Sequence, residues 1–566
     1  MTRQMHAFRF LIVLVGASGG FASLALARVE AADPAAVRAV PSAADRVVAE
    51  PSAHGASTAA GGSEVEEAPA ASSGVAGAGR EELARRAAGL PAVLASPLTV
   101  NTHAVAEMGV RLDVAPTTYE VLHCESTVVL TGFPISATDR VDLELEQFHV
   151  TMPDTQFVIG TDLGDIAVEH PRVALLRGRV AGFDDSWVFL GVTPDFINGV
   201  IHLSPDEEYI LSPVSLKEIV PGDSNHGMYN RFAPEAQFAP FEFACDPEIL
   251  PGTEPFLDGS GGGDEPISGF SWRVARVATD ADFEFRNRFS TAAQAMEYCV
   301  VLLASISTIY ERDMNLKLAA VFVRVWDTSN DPFTANNTAD ALTEMRNFWN
   351  NNMGSVSRSI AHLLSAKDLG GGRASLSQIC TSSAYGVNGN MSGSFPRPLR
   401  DRDNGNWDVV VFAHEMGHNF GTHHTHCFNP PLDQCYNEED GCWGGARVCG
   451  VGTIMSYCHT CNGGLANINL VFHPSCSVAI RNHVDGRGSC APPARDPCFV
   501  DRSNGGAEDG TSGRPYNSIL EGMWFVIPGG AVRIQAGTYN ETFPSTGPLN
   551  RPMTLSTTTG TVRIGG

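Results

Sequence analysis

The chain has 566 residues, of which 43% are hydrophobic, and it carries a formal net charge of −25 at pH 7. Its length exceeds that of one ordinary domain, and its apolar fraction is sufficient for a sizeable core. The acidic balance argues against nucleic acid or an anionic membrane as a partner, because a phosphate-rich surface requires a basic footprint. Solubility is the simpler explanation of the acidity.

Residues 1–27 have the pattern of an export signal. Arg3 and Arg9 precede an apolar run, and Ala25-Leu26-Ala27 fits a small-x-small cleavage site. A membrane anchor is the alternative, but Gly and Ser interrupt the run, which is short for a span. We therefore predict a secreted protein that has no membrane contact after signal removal and that can keep disulfides.

Three segments of different composition follow the signal. Residues 28–97 are rich in Ala, Gly, Ser and Glu, and we expect them to be disordered because they cannot bury enough apolar surface. Residues 98–248 contain runs such as STVVLTGF and SWVFLGV, which predict a β-rich domain. Residues 249–268 are rich in Pro, Gly and Asp and predict a flexible linker that proteases can reach.

Strand and helix patterns alternate over residues 269–491. WRVARVATD, LKLAAVFVRVW and SIAHLLSA predict strands, and GGGRASLSQIC predicts a Gly-rich turn followed by a strand. The apolar spacing of AAQAMEYCVVLLASISTIYERD predicts a long helix after a Ser290 cap, and ADALTEMRNFWNNN an amphipathic helix after a Thr338 cap. This alternation indicates an α/β or α+β domain.

The densest cluster of chemically active side chains is HEMGHNFGTHHTH, residues 414–426, which holds five of the 17 histidines of the chain. His414 and His418 are four residues apart and therefore share one face of a helix. Glu415 points about 100° away from the pair, so it can reach a metal-bound water without being a ligand. The alternative interpretation is a solvated polar end of a helix.

A third imidazole completes this set. Gly421 allows backbone conformations that other residues resist, so the chain can turn there and return with His424. Three neutral imidazoles leave one position of a tetrahedral zinc ion open, as in a catalytic site. The metal lowers the pKa of its bound water to about 7, and Glu415 can take the proton and pass it to the leaving amine. His423 and His426 lie off this spacing and are predicted to support the site or to lie at the surface.

HEMGHNFGTHH resembles the HExxHxxGxxH signature of the metzincin zinc proteases, and it is most similar to the reprolysin (adamalysin) branch, especially its bacterial relatives. The resemblance implies a metzincin catalytic domain over residues 269–491. It also implies that GTIMSYC is the methionine turn beneath the zinc, with Met455 as a packing floor. By the same analogy, the strand around Ala374-Ser375-Leu376 is the edge on which an extended peptide substrate pairs.

Two positions depart from the animal reprolysins. Thr425 follows the third histidine, where those proteins typically have Asp. The methionine turn reads M-S-Y, as in astacins and serralysins, where the tyrosine can be an additional zinc ligand. Tyr457 is therefore a candidate catalytic residue, either a transition-state stabiliser or a fifth ligand, and the alternative is that it only packs in the turn.

Residues 173–214 resemble reprolysin propeptides through a G-x-V-x-G pattern, a D-S pair and the strand GVIHL. The resemblance implies a latent zymogen, in which an open zinc site is blocked until export is complete and an activating protease is a partner. A cysteine thiolate can block the fourth coordination position. Cys245, just before the linker, is the favoured inhibitory residue and Cys124 is the second candidate. Alternatively, these two cysteines pair with each other.

The 13 cysteines of an exported chain predict disulfides, and nine of them lie between Cys427 and Cys498. A second zinc site through Cys458 and Cys461 is the alternative for that pair. The family resemblance implies that Cys380 pairs with Cys476 or Cys490. Spacing alone leaves the connectivity open.

Residues 492–566 resemble the first coils of right-handed parallel β-helix proteins, most clearly in PGGAVRIQAGTYNE. Solenoids of this kind need several stacked coils to bury a core, and residues 497–566 would form only a short one. A docking appendage and a poorly ordered remnant are both consistent with it.

These features predict a secreted zinc metalloendopeptidase that is made as a latent zymogen and cuts internal bonds of protein or peptide substrates. One catalytic zinc ion is expected, and the sequence does not indicate calcium. The alternative is a catalytically silent, zinc-containing adhesion or binding protein on the same multidomain fold. Glu415 argues against that alternative, because an inert site has no need of a base.

Overall fold

The protein is described by a computed structural model. The residues that it describes are 12–13, 26–27, 91–102, 109–125, 127–184, 186–204, 207–213, 226–230, 244–245, 248, 257–258, 270–395, 401–527, 529–541 and 553–564. Most of the predicted export signal, disordered segment and linker therefore lie outside the described residues. Within the signal, Ile12–Val13 (β1) pairs antiparallel with Leu26–Ala27 (β2).

The N-terminal region, residues 91–230, consists mainly of strands. They are Ala92–Ala95 (β3), Leu98–Val100 (β4), Val110–Val114 (β5), Thr127–Pro134 (β6), Arg140–Phe148 (β7), Thr151–Thr161 (β8), Gly164–Val168 (β9), Ala174–Val180 (β10), Trp187–Val192 (β11), Ile197–Ser204 (β12), Glu207–Pro213 (β13) and His226–Asn230 (β14). All except β8 and β9 form one sheet in the order β3-β6-β7-β10-β11-β12-β13-β14-β5-β4. Alternating residues such as Leu143 and Leu145 of β7 are buried, which gives this sheet a core of its own.

A second sheet crosses the boundary between the N-terminal region and the central region, residues 270–491. Its order is β15-β20-β21-β19-β17-β18-β8-β9. The strands not yet given are Ala244–Cys245 (β15), Leu257–Asp258 (β16), Arg273–Ala281 (β17), Leu316–Trp326 (β18), Ile360–Leu364 (β19), Gly371–Ala374 (β20), Tyr385–Asn388 (β21) and Phe428–Asn429 (β22), of which β16 and β22 form a separate pair. Strands β17, β18, β19 and β21 are parallel, and β20 is antiparallel to β21. The strands predicted from WRVARVATD, LKLAAVFVRVW and SIAHLLSA are thus present as β17, β18 and β19.

The helices of the described residues include both predicted ones. They are Thr118–Leu122 (α1), Phe283–Arg286 (α2), Ala292–Met314 (α3), Thr338–Asn352 (α4), Trp407–Asn419 (α5), Pro474–Gly486 (α6) and Ile519–Trp524 (α7). Both predicted caps were wrong by one residue. Thr291 rather than Ser290 caps α3 by accepting from Gln294 N at 3.1 Å, and Asn337 rather than Thr338 caps α4 in the same way.

Helix α3 is a core helix, with most of its residues buried. It has the length and composition of a membrane span, but it is mostly buried inside the protein, as a core helix is. Two of its tyrosines hold α5 in place: Tyr298 donates to the carboxylate of Asp408 at 2.6 Å, and Tyr310 donates to the carbonyl of Ala413 at 2.8 Å. Burial raises the pKa of Asp408 to about 6, with the Tyr298 hydrogen bond opposing the rise, so the carboxylate is ionised at neutral pH. A hydrogen bond to a charged group contributes about 1.5–3 kcal/mol.

The tail, residues 492–564, contains short parallel strands. They are Cys498–Val500 (β23), Ala531–Ile534 (β24), Gly537–Tyr539 (β25), Thr554–Thr557 (β26) and Val562–Ile564 (β27). Parallel pairing of β23, β24 and β26, and of β25 with β27, is the arrangement that stacked coils require, although the β-helix itself stays a prediction. The tail packs on the central region, where the ammonium of Lys317 lies 4.4 Å from the centre of the Trp524 ring.

Four disulfides join cysteines of the central region. They are Cys380–Cys490, Cys427–Cys442, Cys435–Cys458 and Cys449–Cys461. Of the two partners expected for Cys380, Cys490 is therefore the one that bonds. The alternative of a second zinc site at Cys458 and Cys461 was wrong, because both sulfurs are used in disulfides. The Cys245 side chain lies outside the described residues, so its pairing with Cys124 stays open.

Candidate metal centre

Helix α5 and the turn after it bring the three predicted histidines together. His414 and His418 lie one helical turn apart, and their Nε2 atoms are separated by 3.1 Å. Gly421 then adopts a φ of +107°, and a Cβ at this position would lie 2.7 Å from the Cβ of His483. Only glycine suits this turn. The chain returns with His424, whose Nε2 lies 3.1 Å from each of the other two Nε2 atoms.

The hydrogen bonds of the Nδ1 atoms determine which tautomer the rings of His414 and His418 adopt. The Nδ1 atoms of His414 and His418 lie 2.8 and 2.9 Å from the carbonyl oxygens of Ile454 and Thr422. A carbonyl can only accept, so in each ring the proton is on Nδ1 and the lone pair is on Nε2. The pKa of both rings lies well below the usual range, mainly because the rings are buried and secondly because His424 is close to them. Both rings are therefore neutral.

The convergence of these nitrogens fits a metal ion. Three lone pairs 3.1 Å apart repel one another unless a cation lies between them. Zn–N bonds of about 2.0–2.1 Å in a tetrahedral arrangement place the nitrogens roughly 3.3–3.4 Å apart, close to the separation observed. All three rings are buried, and neutral imidazole is the form that a metal requires. The donor set therefore suits zinc.

Glu415 is fully buried and faces strand β20. A Cβ on Gly372 would lie 2.4 Å from Glu415 Oε1, so the glycine leaves the space that the carboxylate occupies. GGGRASLSQIC was interpreted as a Gly-rich turn followed by a strand, whereas β20 begins within the glycines themselves. The sequence gives no sign that Gly372 contacts Glu415, because the distance between them depends on the packing of β20 against α5.

Met455 and Tyr457 lie close to the three histidines. A Cβ on Gly417 would lie 2.7 Å from Met455 Sδ, so the thioether packs directly against α5 between the two helical histidines. The Tyr457 ring is buried, and its centre is 4.4 Å from that of His424. Thr425 donates its amide N–H to the carbonyl of Met455 at 3.0 Å. This bond ties the residue after His424 to the segment that contains Met455.

Sequence reasoning missed one acidic residue of the centre. Oε2 of Glu439 lies 2.6 Å from Nδ1 of His424 and 2.8 Å from Nε2 of His426. Burial alone would raise the pKa of Glu439, but the two histidines outweigh it and lower that pKa, so the carboxylate is ionised. His426 is itself buried and stacks on His424 with ring centres 5.2 Å apart. The acidic run of residues 438–440 was the available signal, and it did not identify which residue turns inward.

Strand β15 and Glu248 lie along strand β20 and the residue that follows it. The backbone of Cys245 pairs in parallel with Gly372, the glycine that contacts Glu415. Further along, Glu248 N donates to Ala374 O at 2.7 Å, and Leu376 N donates to Glu248 O at 2.9 Å. This segment therefore occupies the strand edge that was predicted to bind a peptide substrate.

One comparison with known proteins matches a metallopeptidase family over part of this chain. Residues 271–469 match a reprolysin family model described as Metallo-peptidase family M12. Metalloproteinase-II from Bacteroides fragilis is similar in structure, with 11% identity, a TM-score of 0.35, and coverage of 70% of this chain and 98% of that chain. A chain from the structure of a chaperone–substrate complex is similar with 14% identity and a TM-score of 0.21, covering 27% of this chain and 25% of that chain. A comparison with curated protein sequences gave no match. The family match supports a metallopeptidase domain in this chain, of a family whose members depend on zinc.

Proposed function

We propose that this protein is a secreted, zinc-dependent endopeptidase that is made as a latent zymogen and hydrolyses internal bonds of protein or peptide substrates. The observation that carries the proposal is the convergence of the Nε2 atoms of His414, His418 and His424 beside the buried carboxylate of Glu415. These residues lie within the stretch that matches the metallopeptidase family.

The chain's own groups divide the chemistry among them. The three histidines would hold zinc, which would supply a Lewis acid to polarise a peptide carbonyl and to activate water for attack. Glu415 accepts a proton from the attacking water and returns it to the leaving amine, serving as base and then as acid. Tyr457 packs against His424, and its hydroxyl is proposed to donate a hydrogen bond to the oxyanion that develops in the transition state.

Strand β20 is proposed to bind the substrate backbone. Glu248 already forms backbone hydrogen bonds along this edge, to Ala374 and Leu376. The Glu248 carboxylate also accepts from Ser375 Oγ at 2.8 Å and pairs with Arg346. An extended peptide can form the same kind of backbone bonds only after this segment has left. Latency follows from that competition.

Substitution of Cys245 by alanine should raise the peptidase activity of the uncleaved chain. In our proposal the Cys245 thiolate blocks the fourth coordination position of zinc, and the backbone register of Cys245 with Gly372 supports its placement there. Hydrolysis of a fluorogenic peptide by the intact zymogen measures the effect. Cys124→Ala tests the second candidate in the same assay, and it should leave latency unchanged if Cys245 is the inhibitory residue. Unchanged latency in Cys245→Ala would contradict the switch.

A chelation experiment tests the function as a whole. The protein, cleaved in its linker, is incubated with a proteome-derived peptide library, with and without a zinc chelator. We expect cleavage at internal bonds that stops with the chelator and returns when zinc is added. The alternative, a silent zinc-containing binding protein, predicts stoichiometric zinc without hydrolysis.

A further inference from the structure

The N-terminal region supplies two strands to the sheet of the central region. Strand β8 pairs in parallel with β18, from Gln156 opposite Phe322 to Gly160 opposite Trp326, and β9 pairs outside β8. Ala320 N donates to the carbonyl of Val150 at 2.5 Å. The β8–β9 hairpin therefore covers the edge of the sheet that lies opposite to β20.

Strand β18 is unsuited to be an exposed edge. Every residue of LKLAAVFVRVW except Val321 is buried, so the strand is long and apolar. A strand of this kind with unpaired backbone groups at a sheet edge is a site of aggregation. One of its two charged residues, Arg324, is 2% exposed and pairs with Asp165 of the hairpin at 3.3 Å, as well as with buried Asp280. The hairpin pairs with the backbone groups of this edge, and its Asp165 offsets part of the charge of Arg324.

Apolar and ionic contacts extend the interface to helix α3. Phe148, Phe157 and Phe189 of the N-terminal region belong to the same buried cluster as Val301 of α3. A Cβ on Gly191 would lie 3.0 Å from Val301 Cγ1, which shows how closely β11 approaches the helix. Beside this cluster, Arg177 pairs with Glu311 of α3 at 3.2 Å. Separation of the two regions would return these large aromatic side chains to water.

We propose that the N-terminal region remains bound as a subunit after the chain is cleaved, with the β8–β9 hairpin as a permanent part of the catalytic sheet. The two edges of the sheet have different tasks. Strand β15 and Glu248 cover β20 and must leave for a substrate to bind, whereas the hairpin covers β18 and stays. Activation opens one edge without dissolving the other. This inference concerns assembly and does not depend on peptidase activity.

A double cleavage of the full chain tests the proposal. Sites for a specific protease are placed among residues 231–240 and residues 259–264, so that cutting frees the segment containing β15 and β16. The N-terminal region can then be retained only through its contacts with the central region. We expect both large fragments in one gel-filtration peak at a 1:1 ratio, with the β18 amides still protected from hydrogen exchange. Separate elution of folded fragments would overturn the proposal.

A charge reversal separates the hairpin from the rest of the interface. Asp165→Arg places a second cation beside Arg324 and should cause loss of co-elution or faster exchange of the β18 amides. Leu163→Arg is the matched control, because this side chain is 99% exposed at the tip of the same hairpin. Circular dichroism of each uncleaved variant verifies its fold. Association of Asp165→Arg as tight as that of the control would show that the hairpin does not hold the regions together.

Discussion

Replacement of Glu415 by glutamine should lower kcat by about 10²–10⁴-fold, the contribution that general acid–base catalysis typically makes. The amide keeps the size of the carboxylate beside Gly372 but cannot accept a proton from water. The zinc content should stay at one ion per chain, because the three histidines are unchanged. Peptide hydrolysis by the cleaved protein and elemental analysis of the same sample measure the two quantities.

The control for this variant is Glu438→Gln, which removes the same charge from an exposed position near the centre. It should leave both kcat and the zinc content as in the unaltered protein. Thermal unfolding of both variants shows whether a loss of activity comes from a loss of fold. Full activity in Glu415→Gln would place the general base elsewhere, and loss of zinc in that variant would make Glu415 part of the metal-binding shell.

The convergence of the three histidines could be predicted because its geometry is local. The i, i+4 spacing places His414 and His418 on one helix face. Gly421 indicates a turn after the helix, and this turn brings His424 back towards them. The predictions of the helix caps were wrong because neighbouring residues can serve equally well as caps. Ser290 and Thr291 are both good capping residues, and the backbone conformation, which the sequence leaves open, decides between them.

Other parts of the site depend on contacts between distant segments. The pairing of β8 with β18 joins residues that are far apart in the chain, and neither strand carries a signal for its partner. The proximity of Gly372 to Glu415 arises in the same way, from packing of β20 against α5. The position of Glu439 depends on a loop that the Cys427–Cys442 disulfide closes, and disulfide connectivity cannot be read from spacing.

Replacement of Glu439 by glutamine should weaken zinc binding by about 10–100-fold, the usual cost of losing a partner that orients a metal ligand. Glu439 accepts from Nδ1 of His424 and so turns its Nε2 towards the other two histidines. Glutamine keeps the size but loses the charge, and it can present an N–H to a ring nitrogen that is itself a donor. Competition with a chelating dye measures the zinc dissociation constant, and Glu438→Gln is the control for a lost charge nearby.

His426 provides the second half of this test, because it donates to the same oxygen of Glu439 and stacks on His424. His426→Phe keeps a flat ring for stacking but removes the N–H that holds the carboxylate. If His426 acts through Glu439, the double variant should bind zinc about as weakly as Glu439→Gln alone, since residues in one network are not additive. Additive losses would mean that His426 supports His424 by stacking alone. An unchanged dissociation constant in Glu439→Gln, with zinc still bound by the unaltered protein, would mean that the main chain and α5 orient His424 without help from this carboxylate.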